Sequence, residues 1–132
     1  MPALFEVSVK LVVRRGREIL LLRRPSDTGD WFWDLPGGRL DAGEDIDTAL
    51  TRELREEIGY HGDPPAQRRL LEAGLWHAKV LLYYEISILL EKVALSAEHG
   101  GFVWISPATA GRLEVLGGAR IEPELRKLFC VL

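Results

Sequence analysis

GRLDAGEDIDTALTRELREEIGY, residues 38–60, is the stretch from which the chain is best read. Its second half predicts a helix over Asp45–Ile58, because Ala49, Leu50, Leu54 and Ile58 recur at the spacing that lines one helical face. Asp45 and Asp47 fall in the first turn, where negative charge suits the partial positive charge of the helix start. Gly59 stands where a left-handed residue commonly ends a helix, and Gly62-Asp63-Pro64-Pro65 forbids continuation. On this helix Glu53, Glu56 and Glu57 fall within an arc of about 100°. Like charges at that spacing destabilise an isolated helix, so the stripe asks for positive charge. Arg52 and Arg55 supply part of it. A hard divalent cation, Mg²⁺ or Mn²⁺, supplies it better, since such ions take oxygen ligands from carboxylates and substrate phosphates. A Glu-Leu-Arg-Glu-Glu run by itself is most simply a solvated charged face; the pattern around it changes that reading.

Upstream, Phe5, Val7, Val9, Leu11 and Val13 alternate with Glu6, Ser8, Lys10 and Arg14, the period of a half-buried strand. Arg15-Gly16-Arg17 supplies a turn, and Ile19–Leu22 reads as a strand buried on both faces. Pro25–Asp30 is a loop, and Trp31–Leu35 a short strand stopped by Pro36-Gly37-Gly38. Downstream, Gln67–Trp76 and Lys79–Glu91 read as two long paired strands, and Phe102–Ile105 as a short one. Ser106-Pro107 opens a brief helical turn. Ile121, Leu125, Leu128 and Phe129 mark an amphipathic C-terminal helix. Strands flanked by two helices predict one α/β domain over residues 1–132, a mixed β-sheet covered on both faces.

The 132 residues suit one domain large enough to bury a core without staples. Hydrophobic residues at 47% and charged residues at 28% exclude disorder and collagen-like repeats. The longest apolar stretch, Val80–Leu90, is broken by Glu85 and falls short of the ~20 residues of a bilayer span, so no membrane partner is expected. A net charge of −3 argues against a nucleic-acid polymer as partner, although it leaves room for a small anion. Cys130 is the single cysteine, which predicts a reducing, cytoplasmic setting.

The stretch resembles the signature of the Nudix hydrolases: glycine, five residues, glutamate, seven residues, then Arg-Glu-aliphatic-x-Glu-Glu-x-Gly-aliphatic. Gly38, Glu44, Arg52, Glu53, Leu54, Glu56, Glu57 and Gly59 fit, and only Tyr60 departs, at a packing position. The resemblance implies a Nudix-type α/β/α sandwich, a mixed sheet between two main helices. It further implies Mg²⁺- or Mn²⁺-dependent hydrolysis of a nucleoside diphosphate linked to another group. Glu53, Glu56 and Glu57 match the metal-binding carboxylates. Arg52 matches the arginine that orients Glu53, Glu44 the glutamate that supports the loop and at times the metal shell, and Gly37 a position whose carbonyl ligates metal. Glu98-His99 with Phe102 and Trp104 resembles a family segment whose loop glutamate completes the site as ligand or base. Glu53 is the first choice for the general base and Glu98 the second.

Substrate residues are less marked. Arg23 and Arg24 end the second strand, where alternation aims one at each face, so one of them is expected at phosphate. Gly38 and Arg39 lie in the acidic loop itself. Trp31 and Trp33 offer faces for a nucleobase, against the plainer alternative of core packing. Trp76 and His77 stand about sixteen and seventeen residues past the box, where a proline and a tyrosine mark ADP-ribose and dinucleoside polyphosphate hydrolases in the family. Neither marker is present, which favours a nucleoside triphosphate, oxidised bases included, cleaved to monophosphate and pyrophosphate. Nucleotide sugars, ADP-ribose and dinucleoside polyphosphates are the alternatives. A ligand-sensing domain without turnover stands behind them, and a purely structural module, which leaves the acidic stripe without a purpose, behind that. A monomer or a homodimer fits equally.

Overall fold

The structure is a computed structural model and describes residues 2–65, 67–110, 112, 120, 121, 123–130 and 132. Its strands are β1 (Glu6–Arg15), β2 (Glu18–Pro25), β3 (Trp31–Asp34), β4 (Gly37–Arg39), β5 (Arg68–Trp76), β6 (Lys79–Ile86), β7 (Gly101–Ile105) and β8 (Arg120–Ile121). The helices are α1 (Ile46–Ile58) and α2 (Pro123–Phe129), with a short 3₁₀ turn at Pro107–Thr109. Strand order is β5-β6-β1-β2-β3-β8, with β4 also on β1 and β7 also on β2. The β1–β6 and β3–β8 pairs are parallel and the others antiparallel, so the sheet is mixed. No described helix is long and apolar enough to cross a membrane.

The core has two layers. Val9, Leu11, Val13, Leu20 and Leu22 meet Ala49, Leu50, Leu54 and Ile58 of α1. On the other side Val12, Ile19, Leu21, Trp33 and Leu35 meet Leu125 and Leu128 of α2. A helix on each face of a mixed sheet is the α/β/α sandwich that the sequence predicts. Ile19–Leu22 has no exposed surface, as a strand covered on both faces requires.

Four details differ from the sequence reading. β1 is not half-solvated: Ser8 is buried, and the Lys10 ammonium lies 2.6 Å from Asp34. Its polar face is the floor of a cleft rather than a surface. Gly37-Gly38 does not stop the sheet but opens β4, paired with Lys10 and Val9. A Cβ at Gly37 would lie 2.1 Å from the Val9 carbonyl oxygen, so only glycine permits the approach. β6 ends at Ile86 because β5 offers no ladder beyond Arg68. Ile88, Leu90, Val93 and Leu95 turn onto the α1 core instead, and the Ala94 amide donates to the Ile58 carbonyl at 2.9 Å. The last helix begins at Pro123, and Ile121 belongs to β8.

Candidate active site

α1 is positioned by its ends. Asp45 caps it by accepting from the Thr48 amide at 2.8 Å, and Gly59, at φ 73°, closes it through the Arg55 and Leu54 carbonyls. The apolar positions fix the helix rotation against β1 and β2, and that rotation carries Glu53 and Glu57 inward with them. Both are buried, at 5% and 6% exposed, while the Glu56 side chain keeps 58% of its exposure.

One guanidinium organises the near wall. Arg52 donates twice to Glu44, at 2.8 Å from Nε and from Nη2, a bidentate clamp. Its Nη1 reaches Glu53 at 2.9 Å and Glu56 at 3.3 Å, and its Nη2 the Arg39 carbonyl at 2.9 Å. The clamp, helped by the Asp41 amide, lowers the Glu44 carboxyl to about 2. Glu44 in turn strengthens the hold of Arg52 on its proton. Glu53 goes the other way. Burial raises its proton affinity, the Glu57 charge adds to that, and Arg52 opposes it.

A second guanidinium holds the back wall. The Nη2 of Arg24 lies 2.7 Å from Glu57 Oε1, 3.1 Å from the Leu35 carbonyl and 3.3 Å from the Gly37 carbonyl. Its Nε faces Asp34 at 3.6 Å, whose carboxylate also takes Lys10 and the Leu35 amide. The other oxygen of Glu57 lies 3.1 Å from His99 Nε2. Burial lowers the proton affinity of His99, and the charge of Glu57 works against that shift. The counter-charge that the stripe demands therefore comes from Arg52, on Glu53 and Glu56, and from Arg24, on Glu57, while Arg55 stays exposed.

These groups line a cleft of about 710 Å³, within the ~300–1,000 Å³ usual for small-ligand sites. Its floor is Ser8, Lys10 and Asp34; its near wall is Glu53, Glu56 and Glu57 with Gly37, Gly38 and Arg39. Ser96, Ala97 and Glu98 face them, and Phe32, Trp76, Lys79 and Leu81 complete the lining. Glu44 and Arg52 stand behind the wall and act through Glu53. Arg23 and the two tryptophans of β3 do not line the cleft. The guanidinium of Arg23 lies over Trp31, 4.8 Å from the ring centroid, and Trp33 is buried beside α2. The aromatic of β3 that reaches the cleft is Phe32, because residues of opposite parity face opposite ways. His77 lies outside it, in a groove with Leu4 and Phe5. Sequence reasoning missed Ser8, Lys10, Asp34, Phe32 and Ser96. The signal for Asp34 was present: a carboxylate between Trp33 and Leu35 in an apolar strand needs a partner.

Among the described residues no three His, Cys, Asp or Glu side chains already converge into a closed metal cage. The donor chemistry nevertheless fits a hard divalent cation. Three carboxylates line one wall, and Arg24 gathers the Glu57 carboxylate and the Gly37 carbonyl about a single positive group. A Cβ at Gly38 would lie 2.5 Å from Glu53 Oε1, so the absence of a side chain keeps that oxygen's place open.

The family model described as the NUDIX domain matches residues 4–119. A Bacillus subtilis (strain 168) protein named for an 8-oxo-dGTP diphosphatase activity is 32% identical over 103 residues, 78% of this chain and 65% of that protein. The CTP pyrophosphohydrolase of Escherichia coli (strain K12) is 29% identical over 112 residues, covering 77% of this chain and 76% of the enzyme. The solution structure of the E. coli ORF135 protein superposes with a TM-score of 0.76 at 23% identity, over 96% of this chain and 87% of that one, and speaks for the fold. The chain spans under two thirds of the B. subtilis protein, and 32% and 20% of two further relatives.

Proposed function

This chain belongs to the Nudix family, and from its cleft we propose that it hydrolyses a nucleoside triphosphate, oxidised bases included, to monophosphate and pyrophosphate with Mg²⁺ or Mn²⁺. The observation that carries this reading is the row Glu53, Glu56 and Glu57 on one wall of an open cleft, braced from behind by Arg52 and Glu44. A divalent cation held by these carboxylates and the Gly37 carbonyl would neutralise diphosphate charge and lower the pKa of an attacking water. Arg39 stands exposed and Lys79 half-buried at the rim; each lies near Glu6, at 3.3 and 4.0 Å, and the Lys79 ammonium also lies over the Trp76 ring, 5.5 Å from its centroid. Exposed pairs are worth about 0–1 kcal/mol, so a polyphosphate displaces Glu6 at small cost. Arg24 is already committed to Glu57 and backbone oxygens, and its work is to hold them. Phe32 and Trp76 give the base an aromatic surface, with stacking worth about 1–3 kcal/mol. Burial raises the proton affinity of Glu53, which makes it the first choice for the base, and Glu98, on the same cleft, is the second. The names of two relatives, for CTP and 8-oxo-dGTP, favour triphosphates.

The test is a panel of canonical and oxidised nucleoside triphosphates, ADP-ribose, nucleotide sugars and diadenosine polyphosphates, incubated with the protein and Mg²⁺ and read by phosphorus NMR. Monophosphate and pyrophosphate appearing from triphosphates, and stopped by a chelator, is the expected result. Turnover confined to another class would replace the substrate assignment. Silence across the panel, with Mn²⁺ also tried, would make this a ligand-sensing domain.

A further inference from the structure

His99 has no exposed side-chain surface, although an imidazole carries two polar nitrogens. Burying such a group without partners costs about 1–3 kcal/mol, so its surroundings call for explanation. Nδ1 lies 2.7 Å from the Ser96 hydroxyl. Nε2 lies 3.1 Å from Glu57 Oε2 without the alignment of a hydrogen bond, and among the described residues it has no hydrogen-bond partner. The ring therefore sits between a loop hydroxyl and a helix carboxylate. The loop is anchored on both sides: the Ala94 amide donates to Ile58, and the Gly100 amide to the Arg23 carbonyl at 2.9 Å.

We propose that His99 is a positioning residue for Glu57, set in one tautomer by Ser96 and holding the carboxylate oxygen that Arg24 leaves untouched. A carboxylate only accepts, so the proton belongs on Nε2. In a neutral ring Nδ1 then carries a lone pair and accepts from the Ser96 O–H. Arg24, from β2, grips Oε1, and His99, from the loop after β6, faces Oε2. From outside its own helix Glu57 thus takes one hydrogen bond, from Arg24, and meets the His99 ring nitrogen 3.1 Å from its other oxygen. The arrangement is that of an outer-shell partner fixing a ligand's rotation, whose loss typically costs about 10–100-fold in metal affinity or activity. The inference rests on reading Glu57 as one of the metal-facing carboxylates.

The test uses the full chain and Mn²⁺ alone, with free Mn²⁺ measured by electron paramagnetic resonance. His99→Asn, whose amide is too short to reach Glu57, should bind Mn²⁺ about 10–100-fold more weakly than the parent. His99→Gln, which restores an N–H near the place of Nε2, should recover most of that loss. Nitrogen-15 NMR of the parent should show the His99 proton on Nε2. Parent-like Mn²⁺ affinity in His99→Asn, or equal losses in the Asn and Gln variants, would reduce His99 to packing; a proton on Nδ1 would overturn the tautomer. If His99→Asn does not fold, Ser96→Ala takes its place, with weaker Mn²⁺ binding expected and unchanged binding overturning the proposal. A parent that binds no Mn²⁺ sinks the metal reading itself, a failure distinct from parent binding that the variants leave unaltered.

Discussion

Two adjacent glycines show how differently one missing side chain can matter. A Cβ at Gly37 would meet the Val9 backbone oxygen at 2.1 Å with φ at +143°, and neither strand can give. A Cβ at Gly38 would meet only the carboxylate end of Glu53. Gly37→Ala should therefore cost more than about 3 kcal/mol in a denaturant melt, whereas Gly38→Ala should cost about 1 kcal/mol and lose most of its turnover as Glu53 is pushed from its place. Similar melts with similar rates would show that Glu53 is not held where the structure puts it. Arg52 tests the same carboxylate from behind. Arg52→Ala leaves Glu53 and Glu44 without their clamp, and should cost about 2 kcal/mol and reduce kcat about 10–100-fold. A variant with parent kinetics would make Arg52 a surface residue. These contacts were legible because both partners lie within residues 38–60. Arg24 on Glu57 and His99 on Glu57 were not, since nothing in the local pattern announces a partner 33 residues upstream or a loop folded back from downstream.

Among the elements, α1 was the most legible, because its caps and its apolar period are local properties. β1 was placed correctly but its surroundings were misread. Alternating polar residues look the same whether they face water or a polar cleft, and only the position of Asp34 on β3 decides between them for Lys10. β4 was lost for a related reason: Gly-Gly reads as a break unless the neighbouring strand whose approach it permits is known. The β5–β6–β1 side carries a charge device of its own. Glu85 on β6 accepts from Arg14 on β1 at 2.5 Å and from Arg69 on β5 at 3.2 Å. The Arg14 hydrogen bond is the largest cause that lowers its carboxyl from the ordinary 4.5. A depressed native pKa contributes stability that is present above the unfolded value and lost as pH falls through the native one. Glu85→Gln should thus melt lower than the parent at pH 7, and the gap should close as the pH drops below 4.5. A gap independent of pH would mean that the pair contributes packing and not charge.

At the level of the whole molecule, the two core layers set the sandwich, and the cleft is what the packing leaves open on one side of α1. The sandwich was predictable from strand and helix periods together with the stretch at 38–60. The cleft's far lining was not, because it is assembled from β1, β3, β5, β6 and the loop after β6, which meet only in the folded chain. That is why the carboxylate wall could be read from one segment, while the aromatic residues that line the cleft are Phe32 and Trp76 rather than Trp31 and Trp33. The wall carboxylates are proposed to serve metal-dependent phosphoanhydride cleavage. Glu56 isolates that role, since its side chain is exposed and among the described residues makes only the long 3.3 Å contact to Arg52, so the fold hardly depends on it. The deciding measurement is phosphorus NMR of nucleoside triphosphate hydrolysis by the parent and Glu56→Gln side by side in Mg²⁺, with melting temperatures taken on the same samples. Melting within a degree or so of the parent, with the rate down at least about tenfold, is the predicted result. Equal rates in the two proteins would contradict the assignment of the helix carboxylates to the chemistry.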